Sequence, residues 1–147
     1  MGMSPLRTSK RAVYDLKYHI VWIPKYRKKL LTGEVAKFTK RVLIRIAREY
    51  GWEIEELSVQ SDHVHVFLHV PPKYAPAQVV QIIKSISARE IFKEFPRLRK
   101  RLWAGEFWGD GYFIRSVGDQ VTAEIIQNYI RYQNDDRATG QLQLWED

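Results

Sequence analysis

Two strand-like runs, residues 52–60 and 63–70, are separated only by Ser61-Asp62. A connection this short points to an antiparallel hairpin, because a parallel return needs a crossover of a dozen or more residues. The rest of the chain must be built around that pair. Before it, Tyr14, Leu16, Tyr18, Ile20 and Trp22 alternate with more polar positions, so residues 14–22 predict another strand, stopped at Pro24. Between the two lies a helical pattern capped by Thr32 and running to Tyr50. Val35, Phe38, Val42, Ile46 and Tyr50 recur at spacings of three and four, and Gly51 supplies the stop. Its other face carries Lys37, Lys40, Arg41, Arg45 and Arg48.

After the hairpin, Pro71-Pro72 end the strand, and Pro76 opens a second helix running to about Phe95, before Pro96. The stripe Val79, Ile82, Ile83, Ile86 falls out of phase with Ile91, Phe92 and Phe95, so the two halves of this helix should meet different partners. A short strand over 112–117 and a last helix, placed at 121–136, complete the order. The pattern βαββαβ plus a helix predicts an α+β, ferredoxin-like or RRM-like sandwich, with an antiparallel sheet and a C-terminal helix. Its two helices would cover one sheet face and leave the other for function. At 147 residues, with no repeat or Gly/Ser linker, the chain reads as one domain over 1–147, its residues 1–11 a flexible basic arm.

On the strand after Ser61-Asp62, Val64, Val66, Leu68 and Val70 point one way, and His63, His65, Phe67 and His69 the other. The aliphatic set should face the helices. Residues two apart on a strand lie about 6.6 Å apart, close enough for His63 and His65 to share one ion. His69 is about 13 Å from His65, so it reads as a surface or DNA-facing residue. The pair alone is a weak signal. The chain has no cysteine, which excludes disulfides, thiolate zinc sites and Cys nucleophiles, so any metal site must use His, carboxylate, amide or water.

In the last helix, Tyr129 and Gln133 stand at i and i+4 and share a face. Over the histidines, they would bring a phenol and an amide oxygen to two imidazoles. That donor set suits Mg²⁺ or Mn²⁺. Tyr132, with Asp136 four residues on, has the same relation, and spacing leaves both tyrosines open.

The net charge of +7 favours a polyanionic partner. No apolar run approaches the roughly 18 residues that span a bilayer, and residues 1–11 lack the apolar core of a signal peptide, so a cytoplasmic location is the expectation.

Taken in order, several segments resemble the single-tyrosine HUH transposases (TnpA type) of small insertion sequences that move as single-stranded DNA. They are Tyr18-His19-Ile20-Val21-Trp22-Ile23-Pro24-Lys25-Tyr26-Arg27, Ser61-Asp62-His63-Val64-His65, Lys84-Ser85-Ile86-Ser87-Ala88-Arg89 with Phe95-Pro96, and Leu102-Trp103 with Trp108. Tyr112-Phe113, Val117-Gly118 and Tyr129-Ile130-Arg131-Tyr132-Gln133 follow. The resemblance implies that His63, His65 and Gln133 hold a divalent ion, Mg²⁺ or Mn²⁺, and that Tyr129, not Tyr132, is the nucleophile. It implies cleavage and rejoining of single-stranded DNA at element ends through a 5′-phosphotyrosine, without ATP. It further implies recognition of DNA hairpins and a homodimer in which Tyr129 of one subunit acts in the other's site.

On that reading, Lys25, Arg27, Lys28 and Lys29, with Arg97, Arg99, Lys100 and Arg101, would track the DNA backbone, joined by Lys84 and Arg89. Tyr26, Trp103 or Trp108 would stack on bases. Two other readings remain at this stage. One is a non-catalytic RRM-like binding module displaying Phe67 and Tyr18; the other keeps the chemistry in a domesticated relative that processes chromosomal repeats, or in a plasmid-type nicking enzyme.

Overall fold

A computed structural model describes residues 7–8, 13–102, 105–116 and 130–131. Two short strands, β1 (Arg7–Thr8) and β2 (Val13–Tyr14), pair antiparallel, with Arg7 opposite Tyr14. The expected basic arm therefore contains a paired strand at Arg7–Thr8. The main sheet is built from β3 (Lys17–Trp22), β4 (Glu53–Gln60), β5 (His63–His69) and β6 (Phe113–Ser116). Helix α1 (Gly33–Tyr50) follows β3, α2 (Pro76–Glu94) follows β5, and a short α3 (Arg97–Arg101) precedes β6. The strand order is β4-β5-β3-β6, with every pairing antiparallel. This is the α+β sandwich expected from the sequence, in ferredoxin-like order. Within the expected last helix, Ile130 and Arg131 are helical; its other residues, Tyr129 and Gln133 among them, lie outside the described residues.

Burial on the helix side of the sheet sets the register. Ile20 and Trp22 from β3 and Val64, Val66 and Leu68 from β5 are closed off from solvent, against Val42, Ile46, Val79 and Ile83 of the helices. Burying each such side chain contributes about 1.5–3 kcal/mol. Slipping β5 by one residue would drive His63 and His65 into this core and expose the valines, so the register is strongly held. Tyr18 packs on this side too, and so is withdrawn from the face an RRM-like platform would need.

Helix α1 starts where expected, after Thr32, although the Thr32 side chain makes no capping hydrogen bond. It ends at Gly51, whose left-handed φ of 73° lets its N–H reach back to the carbonyls of Ala47 and Arg48. In α2 the predicted phase break is centred on Ser87, which is fully buried in a core of apolar residues. Its hydroxyl donates to Ile83 O at 2.6 Å and accepts the indole N–H of Trp108 at 2.9 Å. Beyond that point α2 turns to new partners: Phe92 meets Phe107 edge-on at 5.7 Å, and Phe95 meets Phe38 edge-on at 5.5 Å.

Trp108 is only 4% exposed and also packs edge-on against Trp22. It belongs to the core, which corrects the expectation that it could stack on a base. An indole with its one donor satisfied by Ser87 is a stable core residue. Trp103 lies outside the described residues.

Candidate active site on the sheet face opposite the helices

Alternation along β5 and its register with both neighbours assemble one group on the face away from α1 and α2. His63, His65 and Phe67 come from β5, flanked by Gln60, Ser58 and Glu56 on β4. On the other side, β3 places Val21 beside His65 and His19 beside Phe67, and β6 places Arg115 beside His19. The predicted pair His63 and His65 is thus brought to one face, half-buried.

Each member of the pair has an outer partner. The Nδ1 of His63 is 3.0 Å from Asp62 Oδ1, so an Nδ1–H donates to the carboxylate, and in the neutral ring this leaves the lone pair on Nε2. Asp62 is in turn 3.8 Å from Arg27 Nε, which ties the turn after Pro24 to the histidine. The Nε2 of His65 lies 2.9 Å from His19 Nδ1. The two ring centres are 5.1 Å apart and the planes differ by 24°, so the hydrogen bond runs close to the line joining the rings. His19 itself stacks on Phe67, with centres 4.4 Å apart and planes 8° apart.

Burial, above all, pushes the His65 imidazole below its ordinary 6.5; the adjacent His19 acts in the same direction and Glu56 against it. His19 is also lowered chiefly by burial, with Glu56 opposing and Arg115 assisting. Both rings are therefore neutral near pH 7, the form that can offer a lone pair to a cation. Among the described residues no three His, Cys, Asp or Glu side chains converge as a metal site. The donor set fits a divalent ion only with a further ligand, and an amide such as Gln133 is of the right chemical type.

His69 shares the pleat face of His63 and His65 but not their surroundings. It is 2% exposed, which corrects its reading as a surface or DNA-facing residue. The register of β4 against β5 skips one residue between Ile54 and Glu56, and the extra residue, Glu55, brings its carboxylate to His69 Nε2. Asp15 stands 3.9 Å from the other ring nitrogen. The Glu55 carboxylate takes the place of water at Nε2, while Nδ1 is buried without a hydrogen-bond partner among the described residues.

His19, by contrast, was not singled out from the sequence. Its signal was present: it alternates with Tyr18 and Ile20, and a ferredoxin-like order places the first and third strands of the motif side by side. Together these put His19 on the histidine face.

The two basic segments meet. Lys28 Nζ donates to Arg101 O at 3.0 Å, so residues 25–29 and α3 form one edge, with Lys29, Arg97, Arg99, Lys100 and Arg101 exposed along it. Tyr26 is 46% exposed and adopts φ 60°, followed by Arg27 at φ 51°. Left-handed backbone at two successive non-glycine residues is costly, and here it turns one aromatic ring outward and one guanidinium back to Asp62. Beside this edge, a cavity of about 630 Å³ between α2 and residues 105–112 is bordered by Arg89 and Arg99, with Arg99 over the Phe92 ring at 4.4 Å.

Lys84 also lines this cavity, but its ammonium donates to Gly109 O at 2.6 Å and Gly111 O at 3.2 Å. It is committed to holding the loop, which corrects its reading as a phosphate contact. Burial pushes it down to about 8; Asp110 and Glu106 oppose this and Lys25 adds to it. Lys25 is bound at 2.8 Å to Glu106, the hydrogen bond that chiefly raises its pKa, and lies 3.5 Å from Asp110. It too is largely occupied.

The sequence profile of the family described as "Transposase IS200 like" matches residues 12–133. The ISDra2 transposase TnpA of Deinococcus radiodurans is 38% identical over 130 residues, spanning 88% of this chain and 92% of that protein. The transposase for insertion sequence element IS200 of Salmonella typhimurium is 31% identical over 128 residues, 87% of this chain and 83% of that one. A solved transposase structure from Deinococcus radiodurans superposes with a TM-score of 0.79 at 36% identity, covering 86% of this chain and 97% of that chain. With its sandwich, its histidine face and these relatives, the chain belongs to the IS200-like transposases.

Proposed function

We propose that this transposase cleaves and rejoins single-stranded DNA at the ends of an insertion sequence through a covalent bond to Tyr129. The observation that carries the reading is the pair His63 and His65 on one sheet face, each ring held by a partner of its own. Outer hydrogen bonds of this kind orient metal-binding imidazoles. A divalent ion, Mg²⁺ or Mn²⁺, held by His63, His65 and Gln133, would supply charge neutralisation at the scissile phosphate.

The chain's own groups do the rest. The Tyr129 phenol oxygen attacks phosphorus and the bond to the 3′ oxygen breaks, leaving a 5′-phosphotyrosine and a free 3′-OH. The phenol, with an ordinary pKa near 10, gives its proton to water or a substrate oxygen, and the departing 3′ oxygen gains one. Attack by a 3′-OH on the phosphotyrosine reverses the step, so the covalent bond conserves the energy for rejoining without ATP. The exposed edge formed by residues 25–29 and α3 tracks the backbone of hairpin-bearing ends, and Tyr26 stacks on an unpaired base. The active protein is a homodimer in which Tyr129 serves the histidines of the partner.

The test is a denaturing gel of protein mixed with labelled single-stranded DNA carrying candidate element ends and Mn²⁺. A covalent adduct is expected for the unaltered chain and for Tyr132→Phe, and none for Tyr129→Phe. An adduct that survives Tyr129→Phe removes the nucleophile assignment. Normal cleavage by His63→Ala removes the metal.

The alternative of a non-catalytic RRM-like module is disfavoured by the placement of its aromatics. Tyr18 faces the helices and Phe67 is covered by His19, so neither offers a bare ring to a base.

A further inference from the structure

Neutral imidazole has one N–H and one lone pair, and the bond between His19 and His65 uses one nitrogen of each ring. Its proton can sit on either side. If it sits on His19 Nδ1, the lone pair of His65 is on Nε2 and is occupied by His19, while Nδ1 of His65 carries a hydrogen. In that tautomer, and in the ring orientation seen here, His65 has nothing to give a cation. If the proton sits on His65 Nε2, His19 Nδ1 is the acceptor and Nδ1 of His65 is left with its lone pair. Only the second arrangement lets His65 act as a ligand without turning away from His19.

Three features fix the His19 ring in place. Its ring lies flat on Phe67, 4.4 Å between centres. It stands on β3, hydrogen-bonded between β5 and β6 in the middle of the sheet. It lies diagonally from His65 across the β3–β5 boundary, so that the bond joins side chains on two separate elements. Asp62 plays the matching part for His63, from the turn that precedes β5.

We propose that His19 is a positioning residue of the metal site: it accepts the Nε2–H of His65, selects the tautomer with a free Nδ1 and sets the angle of the ring. This rests on the reading of His63 and His65 as ligands. Loss of such an outer partner costs about 10- to 100-fold in metal affinity.

Two-bond ¹H–¹⁵N correlation spectra of the ion-free protein read the tautomer directly, without any substitution. A proton on His65 Nε2 supports the proposal, and one on Nδ1 overturns it. Calorimetric titration with Mn²⁺ supplies the second measurement. His19→Phe keeps a ring on Phe67 but has no acceptor, so its Mn²⁺ affinity should fall about 10- to 100-fold. His19→Asn returns an amide oxygen near the position of Nδ1 and should recover most of the loss. Affinity equal to or tighter than that of the unaltered chain in His19→Phe overturns the proposal. His63→Ala separates the two possible failures. Retained Mn²⁺ binding there removes the metal reading itself, whereas lost binding there beside normal binding in His19→Phe removes only the role of His19.

Discussion

Lys84 offers a measurable consequence of the way α2 is tied to residues 105–112. Its ammonium sits under the loop on the carbonyls of Gly109 and Gly111, and burial brings its pKa from 10.5 down to about 8. In the unfolded chain the same lysine titrates near 10.4. Below about pH 8 both states are protonated and Lys84 adds no pH dependence. Between about 8 and 10.5 the unfolded state holds more protons than the folded one, so the contribution of Lys84 to stability rises with pH. The stability gained is complete above the unfolded value and is lost as pH falls through the folded one. The difference corresponds to about 3 kcal/mol, at about 1.4 kcal/mol for each pH unit.

Urea unfolding at a series of pH values from 7 to 10.5, followed by tryptophan fluorescence, reads this out. Other lysines and tyrosines titrate in the same range, so the informative quantity is the difference between the unaltered chain and Lys84→Met. That substitution shifts the whole profile by stranding two carbonyls, but it cannot contribute a slope. The unaltered chain should therefore gain about 3 kcal/mol relative to Lys84→Met between pH 8 and 10.5. With a urea dependence of roughly 1–3 kcal/mol per molar, the midpoints should move relative to each other by on the order of 1–3 M. Parallel profiles would falsify the assignment of Lys84 as a buried, loop-holding ammonium and return it to the set of exposed cations.

Ser87→Ala should destabilise the fold by about 1–3 kcal/mol in urea unfolding, because it strands the buried indole N–H of Trp108; adding Trp108→Phe should cost less than the sum of the two single changes, and strict additivity would deny the bond. Tyr26→Gly should act with opposite signs on stability and binding: removing the left-handed strain raises the unfolding midpoint, while losing the exposed ring weakens single-stranded DNA binding by roughly 1–3 kcal/mol in anisotropy titrations. Unchanged DNA affinity would leave Tyr26 as a turn residue only. Replacing both Lys100 and Arg101 with alanine should lower the slope of log affinity against log salt by roughly 0.7 per lost phosphate contact, and an unchanged slope would take α3 out of the interface.

What could be read from the sequence was whatever the chain encodes locally. Alternation assigned Val64, Val66 and Leu68 to the core and His63 and His65 to the other face, and the pleat delivered both. The break of phase in α2 was legible as a change of partners, although nothing local to Ser87 says that an indole from twenty-one residues downstream supplies its hydrogen bond. His69 and His19 mark where local reading stops. The periodicity of a single strand fixes a side and says nothing about what covers it. A single inserted residue at Glu55 put a carboxylate over His69 and withdrew it from solvent. The adjacency of β3 and β5, strands separated by a helix and another strand, gave His65 a neighbour forty-six positions away. Periodicity can therefore nominate candidate ligands, but the groups that hydrogen-bond them are ones that only the sheet order brings near. An active-site reading taken from sequence stays incomplete at that outer layer, even where the candidate side chains are assigned to the right face.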